Sequence, residues 1–215
     1  MITKPKNSYL YNIWKKVPPN YYQEGIKTNL LQRLWHEKKL ETLSLLTAQL
    51  QPHKILDVGC ASGMMTNKIL KLFPKSKVIG VDAYKEAITY AKKKYPHVVF
   101  LVADAHELPF NKNTFDLCIC YETIEHVENP QKMLQEIGRV IKRNGKAIVA
   151  MDSGSLLFKI VWWFWEKTKG KVWQGAHLHP FTYNELEQTI KEAGFNIEKK
   201  HFSHSGMEVS FLLSK

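Results

Sequence analysis

Short, unbroken apolar runs alternate with amphipathic stretches through the middle of this chain, and that alternation limits the folds open to it. The runs at 53–58, 77–81, 98–103, 115–120 and 146–151 are dominated by Val, Ile, Leu and Cys rather than alternating with polar residues. Strands of that kind are buried on both faces, as in a parallel sheet covered by helices. Between them, 62–73, 85–95 and 130–141 have helical periodicity, the last with Pro130 in its first turn, where a missing N–H does no harm. The alternation predicts βαβ units and an α/β fold with a doubly wound, mostly parallel sheet.

Beyond that core, residues 30–50 carry apolar side chains at helical spacing, and 1–50 stand outside the alternation as an expected helical lid. After Gly154 come an aromatic-rich helix, a helix at 183–193, and two strands at 196–203 and 207–213 separated by Ser205-Gly206. That spacing predicts a C-terminal antiparallel hairpin, making seven strands with helices on both faces. At 215 residues the chain has the length of one domain. Its expected parts are a cap (1–50), a ligand-binding core (51–151) and an acceptor-side segment (152–215).

Lys and Arg number 31 against 20 Asp and Glu, a formal charge of +11, which suits nucleic acid, anionic membrane or anionic ligand without choosing among them. The basic residues are scattered, so no stable nucleic-acid partner is expected. Cys60, Cys118 and Cys120 lie in apolar runs, and their odd number favours reduced thiols and a cytoplasmic protein. The first twenty residues hold Lys4, Lys6, Lys15 and Lys16 but no apolar run like that of a signal peptide. The most apolar stretch, 156–165, is interrupted by Lys159 and is about half the length of a membrane span.

Doubly wound sheets bind ligands at the carboxyl ends of their strands. There the first run ends Asp57-Val58-Gly59-Cys60-Ala61-Ser62-Gly63, the second at Asp82, the third at Asp104-Ala105 and the fourth at Tyr121-Glu122. Each has an ordinary structural explanation, a turn glycine or a helix cap, yet acids recur at the same end of consecutive strands in a basic protein. Aligned on Gly59, a GxGxxG fingerprint meets Ala61 and Met64 at its second and third glycines, and no GxxxxGK[ST] loop occurs. A ligand with ribose, adenine and positive charge but no phosphate fits better, as S-adenosylmethionine does.

These residues also carry a family resemblance. The 55–63 segment ILDVGCASG resembles the first motif of class I S-adenosylmethionine-dependent methyltransferases, and VIGVD (78–82), VADAHELPF (102–110) and FDLCIC (115–120) resemble the next three, in order. VIKRNGK (140–146) resembles the turn that follows, with Arg143 and Asn144 in place of proline and glycine. The family usually has glycine where this chain has Ala61. The resemblance implies a Rossmann-like fold and S-adenosyl-L-methionine as cofactor. By position, it implies that Asp57 and the loop through Gly59, Cys60, Ala61 and Gly63 line the methionine end. Asp82 holds the ribose diol with Ala83 and Tyr84 beside the adenine, Asp104 and Ala105 contact the adenine, and Tyr121 and Glu122 sit below the sulfonium.

On the acceptor side, Glu122, Glu125 and His126 form ExxEH, similar to some quinone O-methyltransferases and RNA-end methyltransferases. His126 then packs, or acts as a general base, or joins Glu122, Glu125 and His177 around a divalent metal. The spacing is too loose to assign a metal. His126 and His177 are the catalytic candidates. The segment around His177 and His179 resembles the entry to the last helix of quinone-type methyltransferases, and Thr182 with Glu185 is a capping box. The stretch 156–165 has four aromatics in succession. It predicts a core helix over the substrate pocket; the rival reading, with Lys159, Lys167, Lys169 and Lys171 around it, is peripheral contact of 156–171 with an anionic membrane. Tyr21, Tyr22, Trp35 and His36 are expected to close an apolar pocket from above. The expected reaction is methyl transfer to a small hydrophobic hydroxyl or ring carbon of quinone-precursor type. Methylation of RNA or protein, a non-catalytic lipid-binding relative and an NAD oxidoreductase are the rivals.

Overall fold

A computed structural model of the chain describes residues 13–167, 170–171 and 178–215. Seven strands form one sheet: β1 (Lys54–Val58), β2 (Lys77–Asp82), β3 (Val99–Val102), β4 (Phe115–Tyr121), β5 (Ile141–Asp152), β6 (Asn196–Ser203) and β7 (Glu208–Ser214). Their order is β3-β2-β1-β4-β5-β7-β6. The first five pair in parallel, and β7 runs antiparallel to both β5 and β6. The expected doubly wound sheet and closing hairpin are both present. Strand order reverses between β1 and β4, so the crevice for a ligand opens at their carboxyl ends.

Seven helices are described: α1 (Tyr21–Thr28), α2 (Leu30–Thr47), α3 (Met64–Leu72), α4 (Lys85–Lys94), α5 (Pro130–Val140), α6 (Leu156–Lys167) and α7 (Tyr183–Glu192). Local chemistry sets their starts. The side chain of Asn29 accepts from Leu31 N at 3.0 Å, that of Asn129 from Lys132 N at 2.9 Å, and Thr182 forms the expected capping box with Glu185.

Strand alternation divides the core. Leu56, Val58, Cys118, Cys120 and Val149 pack toward Met133, Ile137, Leu186 and Ile190 of α5 and α7. Their neighbours Ile55, Leu117, Ile119 and Ile148 pack toward Leu43, Leu46 and Ile69 of α2 and α3. All three cysteines are free and buried, as small core residues.

Four local expectations are corrected. The Asn144-Gly145 turn lies inside β5: Phe115 pairs with Ile141 but Leu117 with Lys146, so the extra residues loop out as a bulge. The hairpin turn is a 3-10 turn over His204–Gly206 rather than a two-residue loop, with His204 and Ser205 at φ 51 and 55. The segment before 51 is more than a lid, because Leu43 and Leu46 complete a core layer. Finally, α6 is not a core helix: Phe158 is its one buried side chain, while Leu156, Trp163 and Phe164 are exposed. No helix among the described residues is long and apolar enough to cross a membrane.

Candidate active site

A cavity of about 340 Å³ opens at the carboxyl ends of β1 to β4. After β1 it is lined by Gly59 and Ala61, and after β2 by Asp82, Ala83 and Tyr84. After β3 come Asp104 and Ala105, and after β4 Glu122 and His126. One crevice thus gathers nine of the residues singled out from sequence.

Four others stand behind its wall. Asp57 is buried and accepts from Thr66 Oγ1 at 2.6 Å, tying β1 to α3. Burial, with the nearby Asp82 charge, pushes its carboxyl up to about 7 even though that hydrogen bond opposes the shift. Cys60 packs in a small apolar cluster with Ile88 and Phe100. Gly63 starts α3 at φ 75, where a Cβ would meet Phe100 Cζ at 2.5 Å. Tyr121 follows Cys120 in β4 and therefore faces the opposite side of the sheet, into the layer formed with α2 and α3. None of these four residues lines the cavity itself, a result of strand alternation and of the turn into α3.

Asp82 joins two loops. Its Oδ2 accepts from Ala61 N and its Oδ1 from Tyr84 N, both at 2.8 Å. Each carboxylate oxygen retains acceptor capacity toward the cavity. Ala61 adopts φ 45, a left-handed conformation that costs an L-residue about 1–2 kcal/mol and that the Asp82 hydrogen bond holds in place.

Asp104 Oδ1 accepts from the backbone N of His106 at 2.9 Å and lies 2.6 Å from its Nδ1. Nε2 of the same ring accepts from Asn129 N at 3.1 Å, so Nδ1 carries the proton donated to Asp104. The His106 hydrogen bond holds the Asp104 carboxyl below the usual carboxylate range.

The roof comes from the N-terminal segment. Trp14, Val17, Pro18, Pro19 and Tyr22 line the cavity, and Gln23 clamps the β1 loop by donating to Ser62 O at 3.1 Å and accepting from Ser62 Oγ at 3.0 Å. Of the aromatic quartet expected above the pocket, Tyr22 lines it. Trp35 instead donates Nε1–H to Glu122 Oε1 at 3.1 Å. Burial, then the neighbouring Lys39 charge, lowers the His36 imidazole to about 3, leaving it neutral.

Lys39 was not anticipated, yet it pairs with Glu122 Oε2. The available signal was its phase: Trp35, Lys39, Leu43 and Leu46 share one helix face at spacings of four, four and three. Burial would raise Glu122, but the Lys39 charge and hydrogen bond outweigh it and bring the carboxyl to about 2.

Glu125 is buried and pushed up to about 8, chiefly by desolvation. Its backbone oxygen accepts from Leu178 N at 2.9 Å and His179 N at 3.1 Å. His126 Nε2 lies 4.0 Å from Glu125 Oε1. Asp152, also missed from sequence, is raised to about 7 by burial and then by Glu125. Among the described residues no group of three or more His, Cys, Asp or Glu side chains is disposed to hold a metal ion. His177 and Lys169 lie outside the described residues. His179 stacks on Phe181 with ring centroids 5.5 Å apart, a loop-packing role.

Residues 56–149, the segment that builds this crevice, match the family model of a methyltransferase domain. By that match, residues 56–149 have the sequence of a methyltransferase domain. An uncharacterized protein of Methanocaldococcus jannaschii is 34% identical over 138 residues, covering 64% of this chain and 63% of that protein. A ubiquinone biosynthesis O-methyltransferase of Rickettsia typhi is 31% identical over 144 residues, covering 64% and 57%. The matches thus span less than two thirds of these relatives' lengths. The methyltransferase core also superposes on a solved SAM-dependent methyltransferase of Thermotoga maritima with TM-score 0.72. That match has 23% identity over 96% of this chain and 100% of that one, a likeness of fold.

Proposed function

We propose that the chain transfers a methyl group from S-adenosylmethionine to a small apolar acceptor, a hydroxyl or ring carbon of quinone-precursor type. The observation that carries the cofactor is Asp82. A half-buried carboxylate, held by one backbone N–H on each oxygen, borders a cavity of about 340 Å³ and keeps acceptor capacity for two ribose hydroxyls. Asp104 Oδ2 has no hydrogen bond among the described residues and suits an adenine amino group, with Ala105 beside it.

When bound there, S-adenosylmethionine supplies a methyl already activated by its sulfonium charge. The protein's part is mainly alignment and exclusion of water. Asp82 and Asp104 orient, the 14–19 segment and Tyr22 cover, and Glu122 presents a fixed negative charge at the end of β4. His126, at the cavity wall, is placed to accept the proton of a hydroxyl acceptor on a ring nitrogen. The apolar acceptor is supported by the roof of Trp14, Val17, Pro18 and Pro19 and by the resemblance to the rickettsial quinone enzyme.

Calorimetric titration with S-adenosylhomocysteine and with NAD tests the cofactor on wild type and Asp82→Ala. Binding of the former by wild type alone is expected. Preference for NAD, or no binding by a folded sample, overturns the reading.

A further inference from the structure

Twelve large apolar side chains are exposed among the described residues, and nine belong to two neighbouring segments. Six are on α6: Leu156, Leu157, Ile160, Val161, Trp163 and Phe164, each 44–75% exposed. At about 100° per residue they share an arc of roughly 160°, opposite Phe158, Trp162 and Trp165, which turn toward the protein. The other three, Leu30, Leu31 and Leu34, lie in the first turns of α2. Trp165 of α6 faces Thr28, Asn29 and Gln32 across a cleft, which sets the two segments side by side.

Exposed cations flank the apolar arc of α6, and the acids near the α2 segment are Glu24, which is paired with Lys27, and Glu37. Lys159, Lys167 and Arg33 are exposed, and Lys167 Nζ sits 3.5 Å from the centroid of the Trp163 ring. The single acid of α6, Glu166, is half-buried. A twelve-residue helix cannot span a bilayer. One with an outward apolar arc, an aromatic pair and flanking cations on a chain of charge +11 has the chemistry of a helix lying in an anionic lipid surface.

We propose that α6 and the start of α2 form a docking surface for anionic membranes. Pro18 lines both the cleft beside Trp165 and the roof of the cofactor cavity, so the docked face adjoins that roof. Delivery of an apolar acceptor from the bilayer rests on the function proposed above; docking itself does not.

Cosedimentation of the full chain with vesicles tests docking without any methyl transfer. Binding is expected to vesicles of phosphatidylcholine mixed with phosphatidylglycerol and to be much weaker with phosphatidylcholine alone. The double variant Trp163→Ser/Phe164→Ser is expected to bind the mixed vesicles at least about tenfold more weakly, with an unchanged thermal transition because both side chains are exposed. Lys159→Gln/Lys167→Gln is expected to weaken binding to the mixed vesicles alone. Leu45→Ser/Phe202→Ser, equally exposed but elsewhere, is expected to bind as wild type. Three results overturn the proposal. One is no cosedimentation. Another is binding that salt abolishes but the Trp163/Phe164 variant leaves unchanged, which is nonspecific basic attraction. The third is a lipid-free dimer that the same variant makes monomeric, which assigns the face to a second copy of the chain.

Discussion

Lys39 of α2 and Glu122 at the end of β4 form an ion pair in which the lysine is almost wholly buried and the carboxylate borders the cavity. Glu122 sits at φ 46, a left-handed conformation rare for a glutamate, and the pair with Lys39 and Trp35 holds it there. Helix α2 thereby fixes the charge of a residue 83 positions further along the chain (122 − 39 = 83).

Removing the cation leaves that charge uncompensated. Lys39→Met is expected to cost about 1–3 kcal/mol, below the usual loss for a fully buried pair because Glu122 faces the cavity. Adding Glu122→Gln is expected to restore at least half, as read by urea denaturation; an additive double variant would disprove the coupling. The Glu122 carboxyl is depressed, so the pair's contribution is complete above the ordinary range near 4.5 and is lost as pH falls through about 2.

Glu125 has the opposite sign. Its carboxyl is raised to about 8, so its contribution is complete below the ordinary range near 4.5 and declines as pH rises through about 8. Glu125→Gln cannot ionise and is expected to flatten the fall of melting temperature across that window. Parallel wild-type and variant profiles would show that Glu125 does not titrate there.

Among the described residues, Thr66 supplies the one side-chain hydrogen bond to buried Asp57. Thr66→Val keeps the shape and removes the donor, with an expected cost of about 1–3 kcal/mol at neutral pH. Asp57→Asn/Thr66→Val should lose less than the single Thr66 variant, because no charge is then left buried.

Ala61 occupies a left-handed position where the family commonly has glycine. Ala61→Gly relieves about 1–2 kcal/mol of strain and gives back about 0.5–1 kcal/mol in unfolded-chain entropy. A net gain of about 0.5–1 kcal/mol in denaturant unfolding is expected, and a loss would show that the loop is not strained at this residue.

The strands and the acids at their ends were legible because each parallel strand is a local signal, an apolar run followed by a turn. Asp82, Asp104 and Glu122 were found that way, and the crevice brings all three to one cavity. The side on which a side chain emerges was harder to read at the strand ends: Tyr121 and Glu122 are adjacent, yet one packs beneath α2 and the other borders the cavity. Lys39 went unseen because a lysine on an apolar helix face acquires meaning only when its partner is known. The exposure of α6 was misjudged for a related reason, since an all-round apolar helix has the same composition in a core as on a surface.

Local order along the chain therefore determined the sheet, its closing hairpin and the row of acids, because periodicity, turns and caps act between near neighbours. Tertiary structure alone decided that α2 holds Glu122 through Lys39 and Trp35, and that residues 14–19 roof the cavity. It also decided that α6 turns its apolar arc outward. Those outcomes depend on burial and charge compensation between segments far apart in sequence, whose strength is set by distance and desolvation in the folded chain.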